Sequence, residues 1–336
     1  MKVLPLYMPF QGCGHQCVYC NQPLIVGSED EQDCWDERLQ SLHQTDDEYE
    51  IAFYGGTFSA LPRETMQSCL ERARPYLDSN HASGVRISTR PDRVDSDTLI
   101  FLWERGVRTI ELGVESFDDR VLQKSGRGHN AQTARDACRR VKEHGFQLGV
   151  HLMTGLPAQS EASWRETVGE AIELRPHLAR IAPTLVIKNT PLHRLYERGA
   201  YQPQTLDDAL AQCAFGYVQL RRAGTVIARI GLGVSDASGD GTDKIVAGPW
   251  SHALRHDVES LLAGETIERA MRLYGATQII IHPKDYSIVA GTKKCNLLRW
   301  ARQWGDAVEI LRGPQVERHT FQINGRSQPL FWSNDD

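Results

Sequence analysis

Short runs rich in Val, Ile, Leu, Tyr and Phe recur through the first two-thirds of the chain, at residues 3–10, 49–54, 85–89, 109–114, 147–153 and 181–187. Several are nearly continuous in hydrophobicity, as parallel strands covered on both faces are. Between them, residues 62–77, 96–105, 131–144 and 163–174 carry helical patterns. Repeated βα units of this kind predict right-handed crossovers and a parallel sheet. Periodicity alone leaves a doubly wound sheet and a partial barrel both open.

A further helix is expected at 205–222 and a further strand at 225–231. The stretch 231–249 is rich in Gly, Ser and Asp and marks a long loop or a boundary. Beyond it the pattern predicts a helix near 252–263, a strand at 278–282, a helix at 295–304, and strands at 307–311 and 319–323. The chain thus divides into 1–235 and a smaller α/β appendage, 236–336.

Length agrees with that division, since 336 residues correspond to two domains at roughly 150 residues each. A composition of 40% hydrophobic and 24% charged residues excludes disorder and a fibre. No apolar run is long enough to span a bilayer, and the first residues lack a signal-peptide pattern. A cytoplasmic protein with no membrane partner is therefore expected. Lys+Arg number 38 against 43 Asp+Glu, a net charge of -5. Nothing here points to DNA or to a surface coated by polyanions, although a local basic patch is compatible with these totals.

The cysteines change the picture. Of the eight, Cys13, Cys17 and Cys20 lie in one short loop, Gly12-Cys13-Gly14-His15-Gln16-Cys17-Val18-Tyr19-Cys20, directly after the first strand. Cys34, Cys69, Cys138, Cys213 and Cys295 are scattered singly; the first four read as small buried hydrophobes. Three thiolates in a Gly-containing Cys-x3-Cys-x2-Cys loop suit one metal centre. An iron–sulfur cluster takes such soft ligands, and with three of them a 4Fe–4S cluster keeps one iron open for chemistry. The alternative is a structural zinc closed by His15 or Cys34.

This spacing, with aromatic Tyr19 before the last cysteine, resembles the radical S-adenosylmethionine (SAM) superfamily. The resemblance continues in order through Tyr54-Gly55-Gly56-Thr57-Phe58, Ile87-Ser88-Thr89-Arg90-Pro91-Asp92, Glu111-Leu112-Gly113-Val114-Glu115-Ser116-Phe117, Ser125-Gly126-Arg127-Gly128-His129 and Met153-Thr154-Gly155-Leu156-Pro157. It implies a partial (β/α)6 TIM-type barrel. Cys13, Cys17 and Cys20 would hold a 4Fe–4S cluster whose open iron binds SAM. Tyr19, Gly55, Gly56, Thr57, Ser88, Glu115 and Arg127 would contact SAM, with a guanidinium suited to its carboxylate. The implied chemistry is reductive cleavage of SAM to a 5′-deoxyadenosyl radical, fed by a reductant such as flavodoxin or ferredoxin.

Within the superfamily the strings are similar to the subgroup of oxygen-independent coproporphyrinogen oxidase and the elongator-complex catalytic subunit. The latter is the nearer likeness, through Leu185-Val186-Ile187-Lys188-Asn189-Thr190-Pro191-Leu192 and Arg229-Ile230-Gly231-Leu232. Val246-Ala247-Gly248-Pro249 resembles stand-alone bacterial relatives without an acetyltransferase domain. The residues after His256 are too few for such a domain. RNA, in particular tRNA, is the substrate expected on this likeness. The alternatives are a non-catalytic iron–sulfur RNA-binding or assembly protein, and a radical enzyme acting on a small-molecule or porphyrin-like substrate.

In the tail, Lys293, Lys294, Arg299 and Arg302 alternate with Trp300 and Trp304. Basic and aromatic residues together can bind single-stranded RNA by phosphate attraction and base stacking. The competing expectation is an amphipathic helix with its tryptophans in the core. Basic and acidic residues balance over 237–336. His282, Lys284 and Cys295 could form a site, and are more readily read as strand-end and packing residues.

Overall fold

In the computed structural model, which describes residues 2–8, 11–22, 24, 35–44, 47–232, 242–305 and 308–331, the apolar runs become strands of one sheet. They are β1 (Lys2–Tyr7), β2 (Tyr49–Tyr54), β3 (Ala82–Thr89), β4 (Val107–Glu115), β5 (Gln147–Thr154), β6 (Leu178–Pro183) and, after the short β7 (Val186–Ile187), β8 (Val226–Ile230). The sheet order is β1-β2-β3-β4-β5-β6-β8, and every pairing in it is parallel. Inner-face residues from β1 across to β8 line one cavity, so the sheet curls into a half barrel. The expected strand at 181–187 is split after Pro183, and its second half pairs instead with β9 (Ile245–Ala247).

The helices are α1 (Trp35–Gln40), α2 (Arg63–Asp78), α3 (Ser96–Glu104), α4 (Asp119–Lys124), α5 (Ala131–Glu143), α6 (Glu161–Glu173), α7 (Pro191–Glu197) and α8 (Leu206–Arg222); α2, α3, α5, α6 and α8 pack on the sheet, and α7 lies against the cysteine loop. Their starts are written locally. Asp95, Asn130, Ser160 and Thr205 each accept a hydrogen bond from a backbone N–H in the first turn of α3, α5, α6 and α8. In α5 the buried stripe is Ala134, Ala137, Cys138 and Val141, small residues that let the helix lie close on the sheet. Cys69, Cys138 and Cys213 are buried free thiols within helices, whereas Cys34 lies outside the described residues.

The strands differ from the expectation of two apolar faces. In β4, Ile110, Leu112 and Val114 point to the helices, while Thr109 and Glu111, equally buried, point the other way. The outer face carries the hydrophobicity and the inner face is polar. Period-two alternation therefore survives inside these runs.

The appendage begins with α9 (Leu254–Tyr274), which extends well past the expected 263 and packs against α8. It continues through β10 (Gln278–Ile281), α10 (Tyr286–Ala290), α11 (Cys295–Trp304), β11 (Glu309–Arg312), β12 (Thr320–Ile323) and β13 (Arg326–Pro329). The four-stranded sheet has the order β11-β10-β12-β13. Asn324 and Gly325, at φ 48° and 74°, make the tight turn between β12 and β13, a hairpin turn suited to Asn-Gly. One apolar cluster runs from Leu6 in the barrel to Phe331 in the appendage. The proposed boundary at 235/236 falls within 233–241, outside the described residues.

Trp164 shows how the outer layer is held. It is fully buried, its indole N–H donates to Gln212 O at 3.0 Å, and a Cβ on Gly216 would come within 2.9 Å of its ring. Trp164→Ala should lower stability by about 3–5 kcal/mol. Urea denaturation of the purified variant checks this, and an unchanged midpoint would show the contact to be dispensable.

Candidate active site

The cysteine loop sits at the carboxyl ends of the strands because two backbones meet there. Gly12 has φ +76°, and a Cβ on it would lie 2.2 Å from Thr57 O. A Cβ on Gly56 would lie 2.3 Å from Gln11 O. The Thr57 N–H donates to Gln11 O at 2.8 Å, and Met8 N–H to Tyr54 O at 2.7 Å. Glycine is required where main chains approach this closely. Elsewhere the loop is pinned by Val18 N–H to Ser125 O at 3.0 Å and by Leu192 N–H to Val18 O at 2.7 Å.

Cys13, Cys17 and Cys20 all line a cavity of about 540 Å³. So do the other residues singled out from the sequence: Tyr19, Gly55, Gly56, Thr57, Ser88, Glu115 and Arg127. The structure brings the whole set together. Cys13 Sγ lies 3.3 Å from Thr57 Oγ1. Burial, then the neighbouring Cys17 and Cys13, push the Cys20 thiol up to about 12. Burial likewise raises Tyr19 well above the ordinary phenol range.

Arg127 is the buried counter-charge. Its Nη1 donates to Cys17 Sγ at 3.0 Å and to Tyr19 Oη at 3.3 Å; its Nη2 donates to Gly113 O and lies 3.7 Å from Glu115 Oε1. Glu115 is held at φ +66°, where β4 slips register against β5 between Gly113 and Glu115. A non-glycine residue in that region is strained, and strain of this kind collects at functional sites. Its effect is to turn the Glu115 carboxylate into the cavity beside Arg127.

Two buried donors there have no hydrogen-bond acceptor, Arg127 Nε and Arg90 Nη1. The other arms of Arg90 hold Asp92 at 2.8 and 3.1 Å. Buried unpaired N–H groups are costly, so this wall is built for an acceptor-bearing ligand. Soft thiols, a guanidinium that compensates their charge and unsatisfied donors together fit an iron–sulfur cluster with an anionic ligand. Of the two residues considered as closing a structural zinc, Cys34 lies outside the described residues. His15 packs instead against Gly128, where a Cβ would meet its ring at 2.7 Å.

Deeper in the half barrel lies a charged network that the sequence reading did not single out. Glu50, Arg86, Glu111, His151 and Arg180 stand on consecutive strands, β2 to β6. Arg86 binds Glu50 through Nε at 3.0 Å and Glu111 through Nη1 at 2.9 Å. Thr109 Oγ1 donates to Glu50 at 2.6 Å. Tyr54 Oη donates to Glu111 at 2.9 Å, His151 Nε2 lies 2.5 Å from it, and Arg180 approaches both its oxygens at 2.8 and 3.2 Å. Burial opposes ionisation of Glu111, but His151, Arg180 and Arg86 hold its carboxyl well below the usual carboxylate range. The signal available in the sequence was a charged or titratable residue inside four of the apolar runs, at Glu50, Arg86, Glu111 and His151, and just before a fifth, at Arg180.

These features match known proteins. Residues 7–171 match the Radical SAM superfamily model, and residues 176–263 the Radical_SAM C-terminal domain. The chain belongs to the radical SAM superfamily. Its members' characteristic cofactors are a 4Fe–4S cluster and SAM. A tRNA uridine(34) acetyltransferase of Methanocaldococcus infernus is 25% identical over 194 residues, 52% of this chain and 36% of that protein. The heme chaperone HemW of Bacillus subtilis is 27% identical over 212 residues, 59% and 54%. The structure of archaeal Methanocaldococcus infernus Elp3 with an N-terminal deletion superposes with a TM-score of 0.60 at 22% identity, covering 82% of this chain and 63% of that one. This chain therefore spans about a third to three-fifths of the curated relatives it matches.

The tail residues fall elsewhere. Trp300 is fully buried and its indole N–H donates to Glu268 at 3.0 Å, while Arg299 Nε donates to the same oxygen at 2.5 Å. Both are packing residues of α11. Lys293 and Lys294 are exposed at its start. His282 accepts from Lys284 N–H at 3.1 Å and caps the turn after β10. No helix among the described residues is long and apolar enough to cross a membrane.

Removal of Arg86 would leave Glu50 and Glu111 short of a buried partner, so Arg86→Met should cost about 3–5 kcal/mol in urea unfolding. His129 supplies a pH test. Burial and then Arg127 push its pKa down to about 4. The folded chain therefore refuses a proton that the unfolded chain accepts near pH 6.5, and stability falls as pH drops from there toward 4. His129→Gln should remove on the order of 1–2 kcal/mol of that acid loss. Urea midpoints of both proteins at pH 7 and 4.5 measure it, and equal losses would contradict the assignment.

Proposed function

We propose that this chain is a radical SAM enzyme that cleaves SAM reductively and acts on RNA, in particular tRNA. The observation that carries the reading is the meeting of Cys13, Cys17 and Cys20 with Arg127 at the carboxyl ends of the strands, the face on which barrel active sites lie. Cys13, Cys17 and Cys20 would hold three irons of the cluster. When bound, such a cluster supplies one electron to the SAM sulfonium, giving methionine and a 5′-deoxyadenosyl radical that takes a hydrogen atom from the substrate.

The rest is work for this chain's own residues. Gly56 and Thr57 keep the cysteine loop seated on β2. Arg127 offsets thiolate charge, and its free Nε, with that of Arg90 Nη1, offers donors to the amino-acid end of SAM. Glu115 and Ser88 offer acceptors, and Tyr19 closes the loop side against water. Three thiols must deprotonate to bind iron, so assembly releases protons. A flavodoxin or ferredoxin would supply the electron.

RNA as substrate is supported by the name of the archaeal relative. Exposed Lys293 and Lys294 offer phosphate contacts in the appendage, whereas buried Trp300 has no face free for a base. A second reading, favoured by the match to HemW, is a haem-handling protein with a cluster but no radical chemistry.

Anaerobic reconstitution separates them. The enzyme reading expects about four iron per chain and 5′-deoxyadenosine on reduction with SAM, both lost in Cys17→Ala. Intact SAM together with tightly held haem would overturn it. Nucleic acid retained through purification at moderate salt, and lost in a Lys293→Glu, Lys294→Glu double variant, would support the RNA assignment; retention in that variant would remove the appendage from it.

A further inference from the structure

Five guanidiniums, those of Arg86, Arg90, Arg127, Arg180 and Arg229, line the cavity of the half barrel, against the carboxylates of Glu115 and, behind the lining, Glu50 and Glu111. Glu50 and Glu111 face three guanidiniums, those of Arg86, Arg180 and Arg229. Arg86 bridges both carboxylates and Arg180 is held by Glu111, with its guanidinium 4.6 Å from the centre of the Tyr54 ring. Arg229 has no acidic partner among the described residues. Yet Arg180 and Arg229 are direct register partners on the neighbouring parallel strands β6 and β8, and both line the cavity. Arg229 is solvent-exposed on the edge strand β8, and its pKa is lowered by partial desolvation and then by Arg180 beside it.

Like charges set side by side are unfavourable unless something answers them. A guanidinium offers a planar fork that holds a carboxylate or a phosphate through two bonds. Arg180 is already oriented by Glu111 and Tyr54, so it would bind such a group without first losing side-chain freedom. The cysteine loop and Arg127 line the same cavity. The arginine pair, on β6 and β8, stands on different elements from the donors Arg90, just past β3, and Arg127, in the loop between α4 and α5.

We propose that Arg180 and Arg229 form the anchor for an anionic group, a phosphate or a carboxylate, carried by the substrate. This deepens the reading of the cavity as a SAM-dependent site, and rests on it. The anchor fixes one end of the substrate on β6 and β8 while the remainder extends toward the cysteine loop.

The test titrates reconstituted, SAM-loaded protein at low ionic strength, where charge attraction is least screened, with inorganic phosphate and separately with succinate, by calorimetry. One of the two is expected to bind saturably. Preference for phosphate points to a nucleotide-bearing substrate, and preference for succinate to a carboxylate. Arg229→Met should weaken that binding at least about tenfold, as expected for loss of a charged hydrogen bond. Arg229→Lys should retain part of it, and Arg222→Met, on the exposed end of α8, should not change it.

Saturation by neither anion, or undiminished binding to Arg229→Met, would overturn the proposal. So would anion binding that SAM abolishes, because the pair would then serve the SAM carboxylate. Failure of the wild-type protein to bind SAM at all would instead sink the reading on which the anchor rests.

Discussion

The contact between the Gly12 and Gly56 main chains is the constraint on which the site depends. At each position a single methylene would collide with a carbonyl oxygen of the other loop, at 2.2 and 2.3 Å. With no side chain between them, the cysteine loop hydrogen-bonds directly to the turn after β2. That turn is carried by β2, which is paired on both sides, by β1 and β3, in an all-parallel sheet. The position of three thiols is thus inherited from strand pairing, the most rigid part of the fold. A loop held only by side chains would lack that definition.

Charge organises the rest. Outside the half barrel, apolar strand residues meet helices. Inside, every strand from β2 to β6 presents an ionic or hydrogen-bonding side chain, and each carboxylate has at least two donors. A buried network of this kind is weak evidence for stability, since well-packed apolar residues would serve that as well. It does keep the barrel interior polar enough to receive a charged ligand. Arg127 and strained Glu115 repeat the pattern next to the cysteines. There the chain accepts an unfavourable φ and two unpaired N–H groups, costs that make sense in a site completed by a ligand.

Much of this could be read from residues in a row. Cys-x3-Cys-x2-Cys, Gly55-Gly56 and the Gly126-Arg127-Gly128 loop are local strings, and each sits in the cavity where the likeness placed it. The helical patterns at 96–105 and 131–144 began where helices begin, and the structure shows Asp95 and Asn130 capping those starts within one turn. Arg86, His151, Arg180 and Arg229 were not, because their meaning comes from neighbours about 25 to 70 residues away. In the tail, a lysine–tryptophan run had two readings. Burial of Trp300 and the Glu268 contact decided for packing, which no count of charges could do.

By itself the sequence determined where the apolar strands and the helical stretches run, and that three thiols share one short loop. These rest on short-range physics: side-chain period and thiolate chemistry act within a few residues. Only the tertiary structure decided that seven strands curl rather than lie open, and that their charged positions face one another. It also decided that Arg127 reaches Cys17 across 110 residues of chain. Charges gain or lose energy through space, in a dielectric set by what surrounds them. Their pairing therefore exists only once the sheet has closed around them.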